Sequence, residues 1–373
     1  MRQIKQVASK KDLAAFIDFP HTLFEGDANY VPELHIAQRD LLSPGKHPFH
    51  EHSTIQMFLV YEDGIIKGRI AAILNNNHNQ FKNRKDGFFG FFDLINDQEI
   101  ANLLLNEASA WLKAKGADTM VGPVNPSTNE PCGLLIEGFD KPPVAMMTYN
   151  KPYYASLLET AGFKKQTDLL AYDLSTATVD KRTLQLKEIL LKRLKNNDII
   201  IRNINMKDFK NEVERLLSVY NEAWAENTGF VPMTDKEFKY LAKDLKMILD
   251  KDFCLVAEHK GKVIGFALAI PDINQVLIKI KKGRLFPTGI FKLLLGLKKI
   301  DYVRVLALGV TSAYRKAGIE ACFYSEIIEK AASKKIRGGE ASWILEHNEL
   351  MNNGLKKLNA VVYKRYRVYE KLI

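Results

Sequence analysis

Alternating apolar and polar positions predict two similar β-hairpins, one in each half of the chain. Residues 58–73 form two apolar runs around a Glu-Asp-Gly turn, and residues 254–270 repeat the pattern around His-Lys-Gly. A second pair of similar stretches, 157–162 and 355–360, is separated by nearly the same distance, about 197 residues. Two matches at one offset indicate a duplicated unit.

Helical periodicity completes both repeats. Apolar residues recur at helical spacing over residues 100–115 in the first half and 319–331 in the second. The fold class predicted is α/β (α+β), with two tandem domains that each contain a mixed central sheet flanked by helices. The expected boundaries are residues 1–176 and 199–373, with a helical linker over residues 177–198.

The most informative stretch is a buried strand, a basic turn and a helix over residues 303–331. The first N–H groups of a helix have no internal partner and carry the positive end of the helix dipole, so a phosphate suits them. Gly318 allows close approach, Arg315 and Lys316 add charge, and Ala317 adds little bulk. The alternative is a basic turn whose amides bind water.

This stretch resembles motif A of the GNAT N-acyltransferases, in which Val-x-Pro-x-Tyr-Arg-Gly-Lys-Gly-Ile-Gly binds the pyrophosphate of acetyl-CoA. Glu320 is the main departure, because a carboxylate repels the pyrophosphate unless it points to solvent. The resemblance implies acetyl-CoA or another acyl-CoA as co-substrate, and no metal. The matching positions are Val310, Tyr314, Arg315, Gly318 and Ile319. The implied cofactor-binding residues are Leu308, Gly309, Val310, Arg315, Lys316, Ala317, Gly318, Ile319, Ala321 and Asn348.

Acyl transfer to an amine needs a base for the amine and a proton for the leaving thiolate. GNAT enzymes often use a Tyr as the acid, seven positions after an Asn that Asn348 matches, but Leu355 stands at that position. Glu346, which follows a predicted strand, is the candidate catalytic base, directly or through water. The alternative is a structural, salt-bridged glutamate.

The first half lacks the basic turn. Its corresponding segment is Asn96-Asp97-Gln98-Glu99, in which Asn96 and Glu99 have capping-box spacing. Acidic side chains at a helix N-terminus leave no room for a pyrophosphate, so only the second half is predicted to bind CoA.

A long polar loop over residues 122–154 is the candidate contribution of the first half to substrate binding. The candidate substrate-binding residues are Asn129, Glu130, Tyr149 and Asn150. The alternative is that these polar groups satisfy the backbone of the loop itself.

An insertion over residues 276–300 combines large apolar residues with Lys and Arg and contains no acidic residue. Three interpretations stay open for this insertion. It could make a transient contact with an anionic membrane surface, or it could cover an apolar acyl group. It could also form two short helices that pack on the neighbouring domain with their lysines in solvent.

Composition adds limits rather than a function. The chain has 373 residues, 46% of them hydrophobic and 26% charged, as is usual for globular proteins. Its three widely spaced cysteines predict buried thiols, and the absence of an apolar signal core or span predicts a cytoplasmic protein. The net charge of +10 suits CoA, nucleic acid or an anionic membrane alike. Nucleic acid is the least favoured of these, because no helix-turn-helix or other nucleic-acid-reading motif accompanies the aromatic and basic run at residues 361–370, which is more often a last strand with one tyrosine face inward.

The sequence therefore favours an acyl-CoA-dependent acyltransferase, and among these an N-acetyltransferase, that acts on the amine of a small-molecule or lipid-like acceptor. Two other functions stay open. One is a non-catalytic sensor of acyl-CoA or lipid, which Glu320 and Leu355 favour. The other is a basic protein that binds membrane surfaces or nucleic acid.

Overall fold

A computed structural model describes residues 1–178, 181–225, 227 and 229–373, without the side chains of residues 181–186. The described chain forms two compact units. Unit 1 comprises Met1–Leu169, Asn274–Gly296 and Lys364–Ile373, and unit 2 comprises Leu170–Ile273 and Leu297–Tyr363.

Thirteen strands and twelve helices, numbered in chain order, make up the regular structure of the described residues. The strands are β1 (Arg2–Gln6), β2 (Ser53–Glu62), β3 (Ile65–Asn75), β4 (Asp86–Leu94), β5 (Thr119–Gly122), β6 (Leu134–Glu137), β7 (Lys164–Ser175), β8 (Ile199–Asn203), β9 (Cys254–His259), β10 (Lys262–Pro271), β11 (Tyr302–Val310), β12 (Gly338–Leu345) and β13 (Val361–Leu372). The helices are α1 (Lys10–Leu23), α2 (His35–Leu41), α3 (Asn76–Lys82), α4 (Gln98–Ala114), α5 (Tyr154–Thr160), α6 (Lys181–Asn196), α7 (Phe209–Ala223), α8 (Asp235–Leu245), α9 (Asn274–Leu277), α10 (Gly289–Leu297), α11 (Ile319–Ser333) and α12 (Glu349–Lys357).

In unit 1, strands β1, β2, β3 and β4 pair in that order and antiparallel, and β5 continues the sheet parallel to β4. The chain returns from β4 to β5 through α4, whose buried side chains pack in one core with those of β2 and β4. The last strand, β13, pairs antiparallel with β5 and with β6.

Unit 2 repeats this plan. Strands β8, β9, β10 and β11 form an antiparallel series, and β12 lies parallel to β11 after the crossover helix α11. The core between α11 and the strands includes Ile319, Cys322 and Phe323, each fully buried. The two hairpins predicted from the sequence, β2–β3 and β9–β10, are therefore confirmed, and so is the mixed α/β fold class.

The compact units are not contiguous in sequence, in contrast to the predicted boundaries of 1–176 and 199–373. The C-terminal strand contributes its second part to unit 1, because residues 365–372 pair with β5 and β6. The insertion belongs to unit 1 as far as Gly296, and Val276, Leu277 and Ile280 are buried there. Its middle packs closely there, since a Cβ on Gly283 would lie 1.7 Å from the backbone oxygen of Glu33.

The predicted linker contains a helix, α6, which is part of unit 2. Leu194 of α6 is buried in the same core as α11, and Lys187 Nζ forms ion pairs with Glu326 at 2.7 Å and Glu329 at 2.5 Å. Helix α6 is therefore packed and not an extended spacer. Residues 179–180 of the predicted linker lie outside the described residues.

All three cysteines are buried free thiols, as predicted. Burial raises the pKa of Cys254 to about 12 and that of Cys322 to about 11, so both thiols stay protonated at neutral pH. In β13, Tyr366 and Tyr369 are fully buried in unit 1, so these two rings are not available for stacking on nucleic-acid bases.

Candidate active site

The candidate site begins where two parallel strands of unit 2 separate. Strands β11 and β12 are paired from Tyr302 with Gly338 to Val305 with Ala341. Beyond these residues β11 continues to Val310 and β12 to Leu345, and most side chains of this part of β11 are only half-buried. An opening at the carboxyl ends of parallel strands, next to a helix N-terminus, is a usual place for a ligand in α/β sheets.

The N-terminus of α11 adjoins this opening. Its N-cap is Gly318, with φ of 93°, and a glycine has no side chain that could form a capping hydrogen bond to the first turn. Lys316 also has positive φ, 70°, which turns the chain sharply before the helix. Backbone N–H groups with the positive end of a helix dipole behind them form a site for an anion such as a phosphate.

The basic residues of the turn have different surroundings. Arg315 is half-buried, and its Nη2 donates a hydrogen bond to the backbone oxygen of Ala223, 3.1 Å away at the end of α7. Tyr314 is held by a 2.6 Å hydrogen bond between its hydroxyl and Nδ1 of His259. Lys316 is exposed and is the more available charge for a ligand. Arg315 thus fixes the turn as well as adding charge.

The other predicted CoA-binding residues differ in burial: some lie in the core and others are accessible to a ligand. Val310 and Ile319 are buried in the core, whereas Leu308 and Ala317 are half-buried and Ala321 is exposed. Gly309 has a packing role, because a Cβ there would lie 2.5 Å from the indole of Trp224.

Glu320 lies in the first turn of α11 and is half-buried, so it does not extend freely into solvent. Burial raises the pKa of this carboxyl, and the N–H of its own backbone and the charge of Arg315 partly oppose the rise. Glu320 therefore places a titratable carboxyl in the first turn of α11, where a phosphate would bind.

Tyr324, one turn after Glu320, was not identified from the sequence. Its side chain is buried, and its hydroxyl has no hydrogen-bond partner among the described residues. Burial raises its pKa, so the hydroxyl stays protonated and can donate. It belongs to a core cluster against which Leu308 of β11 and Ile344 of β12 pack. The sequence gives no signal for an unsatisfied hydroxyl here, because a Tyr on an otherwise apolar helix face is usual in a protein core.

Glu346 directly follows β12 and is half-buried. The amide of buried Asn352 holds the backbone here, because its Nδ2 donates to the oxygens of Leu345 and Glu346, each at 3.1 Å. The hydroxyl of Tyr172 donates to Asn352 Oδ1 at 2.8 Å and completes this support.

Asn348 has a structural task in addition to any ligand contact. It is the N-cap of α12, and its Oδ1 accepts a hydrogen bond from the N–H of Met351 at 3.2 Å. Leu355, which stands where GNAT enzymes often have a Tyr, is fully buried. Because this side chain is apolar and buried, it cannot donate a proton to the leaving thiolate as the Tyr of those enzymes does.

The four candidate substrate-binding residues lie in unit 1. Asn129 and Glu130 belong to a turn in which their N–H groups donate to Ser127, at 3.2 Å and 3.1 Å. Asn150 is buried, and its amide makes three hydrogen bonds to the backbone, two of them with Leu135 of β6. These contacts match the alternative that the polar groups stabilise the loop itself.

Tyr149 also has a partner inside unit 1. Its hydroxyl donates to the carboxylate of Asp27 at 3.0 Å, and Lys151 Nζ lies 2.8 Å from the same carboxylate. Burial, together with Asp27, raises the pKa of Tyr149. The polar group of Tyr149 is therefore engaged by charged neighbours.

The helix that corresponds to α11 in unit 1 has a closed N-terminus. The cap of α4 is Asp97, not Asn96, and its carboxylate accepts hydrogen bonds from the N–H groups of Glu99 and Ile100. Arg2 forms ion pairs with Asp97 at 2.7 Å and Glu99 at 2.6 Å. The prediction that side chains occupy this terminus is thus right, but it named the wrong capping residue.

The described part of the chain contains neither a cluster of metal-ligating side chains nor a helix that could span a membrane. It contains no group of three or more His, Cys, Asp or Glu side chains placed to hold a metal ion. It also contains no helix with the length and apolar character needed to span a membrane.

The chain is similar over nearly its whole length to two curated bacterial proteins. It is 37% identical over 379 residues to protein YghO of Escherichia coli K12, covering 99% of this chain and 95% of that protein. It is 33% identical over 377 residues to the bacterial ceramide synthase of Caulobacter vibrioides, covering 98% and 96%. No family model matches the chain.

Two solved structures similar to this chain are GNAT proteins. A tandem GNAT protein from the clavulanic acid biosynthesis pathway has a TM-score of 0.57 at 10% identity, covering 100% of this chain and 98% of that one. A GCN5-related N-acetyltransferase from Sphaerobacter thermophilus has a TM-score of 0.55 at 13% identity, covering 99% and 95%. These similarities confirm the tandem GNAT fold predicted from the sequence.

Proposed function

Because the chain belongs to the family that includes YghO and the bacterial ceramide synthase, we propose that it is an acyl-CoA-dependent N-acyltransferase with a long-chain amine as acceptor. The GNAT fold supports acyl transfer in general. The acceptor class rests on the Caulobacter relative, since a ceramide is a long-chain amino alcohol whose nitrogen carries an acyl group.

The observation that carries the proposal is the N-terminus of α11, whose N-cap is a glycine without a capping side chain, beside the separated strands β11 and β12. In the proposed complex the backbone amides after Lys316 bind the pyrophosphate of CoA, and Lys316 adds an exposed positive charge. The unpaired edge of β11 after Val305 offers backbone hydrogen bonds to the amide groups of the CoA arm.

The chemistry needs one base and one donor. The acceptor nitrogen attacks the thioester carbonyl, so a C–N bond forms, the C–S bond breaks, and the nitrogen loses a proton. CoA leaves as a thiolate, which takes up a proton to give the free thiol. Glu346 is our candidate for accepting that proton, directly or through water. Tyr324, whose buried hydroxyl has no partner among the described residues, is our candidate for donating a hydrogen bond to the oxygen or sulfur of the thioester.

A non-catalytic sensor is the second candidate function, and two observations favour it. Glu320 places a carboxyl in the first turn of α11, and Leu355 stands where GNAT enzymes often have the acid. A sensor would bind acyl-CoA without turnover. Binding and turnover must therefore be measured separately.

The test is an assay of the purified protein with acetyl-CoA or palmitoyl-CoA as donor and sphinganine or ethanolamine as acceptor. Free thiol is measured together with the amide product by mass spectrometry. We expect an amide of sphinganine and one thiol released per amide formed. Thiol without amide would indicate hydrolysis only, tight binding without thiol would identify the sensor, and faster acylation of ethanolamine would overturn the long-chain acceptor.

A further inference from the structure

The insertion in unit 1 presents an apolar helix face to solvent. Helix α10 carries Phe291, Leu294 and Leu295, which share one face at spacings of three and four residues. They are 65%, 58% and 73% exposed, and Phe286 in the preceding loop is 78% exposed. Large apolar side chains concentrated in this way are unusual on a surface that meets only water.

The insertion is held in place by contacts within unit 1, so its exposed apolar face is part of the folded structure. Asn274 Nδ2 donates to the backbone oxygen of Pro143 at 2.9 Å. Gly296 packs on Val276, since a Cβ there would lie 2.6 Å from that side chain. Val276, Leu277 and Ile280 already supply the buried side of the insertion. The apolar residues of α10 are thus additional to those needed for packing.

A basic cleft adjoins the apolar face. The cleft has a volume of about 220 Å³, and its lining includes Lys281, Lys282, Arg284, Phe286 and Lys292. No acidic residue lies between Asn274 and Gly296. The nearby acid on α1 is Asp18, which pairs with Arg284 at 2.9 Å, and Lys292 Nζ donates to the oxygen of Lys279. Lys281 and Lys282 are both exposed.

We propose that this surface, residues 279–295, docks the protein on a bilayer that contains anionic phospholipid. Phe286, Phe291, Leu294 and Leu295 enter the boundary between headgroups and acyl chains, while Lys281 and Lys282 contact lipid phosphates. Apolar burial and attraction to an anionic surface strengthen each other, and neither a neutral bilayer nor a soluble polyanion satisfies both. The proposal concerns binding alone and does not depend on the proposed catalytic function.

The test is flotation of the full-length protein with vesicles of phosphatidylcholine alone or with about one third phosphatidylglycerol. We expect binding to the anionic vesicles that weakens as salt is raised, and at least about tenfold weaker binding to neutral ones. The charge variant is Lys281→Glu with Lys282→Glu, and its control is Lys10→Glu with Lys11→Glu. The control has the same net charge and changes an exposed lysine pair at the start of α1.

The apolar variant is Phe291→Ser with Leu294→Ser and Leu295→Ser. Its control changes three exposed apolar residues elsewhere, Ile65→Ser, Ile189→Ser and Met247→Ser. Both test variants should lose at least about tenfold in vesicle affinity, and both controls should retain it. No binding of the wild type to anionic vesicles at low salt, or equal loss in test and control variants, would overturn the proposal. So would a DNA duplex that displaces the vesicles, because it would show a general polyanion surface.

Discussion

Leu190 of α6 lies directly against Gly318, the residue that begins α11: a Cβ on Gly318 would be 3.0 Å from Leu190 Cδ2. The same glycine has φ of 93°, which a residue with a side chain adopts only at a cost. Helix packing and the proposed anion site therefore depend on one position.

Gly318→Asp is expected to lower the affinity for acyl-CoA by at least about tenfold, because it adds bulk and negative charge where the pyrophosphate would bind. Calorimetric titration measures this. The control is Gly261→Asp, at a hairpin turn with φ of 80° and nothing within 4 Å of an added Cβ. Both variants should lose about 1–2 kcal/mol of stability from the backbone conformation. Equal CoA affinity in the two variants would contradict the site.

Glu320→Gln is expected to tighten acyl-CoA binding at neutral pH by about fivefold, since it removes a negative charge worth about 1 kcal/mol near the anion site. The control is Glu349→Gln, in the exposed first turn of α12. Unchanged affinity in Glu320→Gln would mean that its carboxyl does not face the ligand.

The same variant should show a pH-dependent gain in stability. Burial raises the pKa of Glu320 above its ordinary value of 4.5, so the folded state binds this proton more tightly than the unfolded state. The contribution of the wild-type group to stability therefore falls as pH rises above about 4.5. Urea unfolding at acidic and neutral pH should show no gain for Glu320→Gln at the low pH and a gain at pH 7. A gain of equal size at both would be inconsistent with the shift.

Tyr324→Phe separates a ligand contact from a structural role. Removal of a buried hydroxyl that has no partner among the described residues should leave the free energy of unfolding unchanged or raise it by about 1 kcal/mol. Turnover should fall about tenfold or more if the hydroxyl contacts the thioester. By contrast, Tyr172→Phe removes the donor to Asn352 and should cost about 1–2 kcal/mol of stability. Full activity in Tyr324→Phe would exclude the proposed contact.

Glu346→Gln is expected to lower kcat by about 100-fold or more while the affinity for acyl-CoA is retained, because a general base acts on the acceptor amine. Steady-state kinetics at several pH values measures the change. A variant that loses stability but keeps its kcat would instead identify Glu346 as a structural residue.

Asn150→Ala tests whether the loop of unit 1 is structural. The loss of three hydrogen bonds to the backbone, two with Leu135, should lower the free energy of unfolding by about 2–3 kcal/mol. Asn106→Ala, on the exposed face of α4, should change it by less than about 0.5 kcal/mol. If Asn150→Ala is as stable as the wild type but has a higher KM for the acceptor, the residue contacts substrate.

The sequence by itself determined the local elements and the duplication. Turn residues at Asp63-Gly64 and Lys260-Gly261 and helical periodicity after Gly318 depend on neighbours a few residues away, so the pattern is sufficient. It also indicated that only the second half has an open helix N-terminus. The choice of Asp97 over Asn96 as cap was missed, because both residue types cap well and only the backbone geometry distinguishes them.

Only the tertiary structure decided which distant segments meet. β13 pairs with β5 and β6 across more than two hundred residues of chain, and this places the C-terminal tyrosines in the core of unit 1. Tertiary packing likewise decides where pairing ends at Val305 and Ala341, that the hydroxyl of Tyr324 meets no partner within the described part of the chain, and that Asn150 bonds to the backbone. Strand order and packing decide which residues far apart in sequence form hydrogen bonds or bury each other. Local residue patterns cannot predict these contacts, because they depend only on neighbours along the chain.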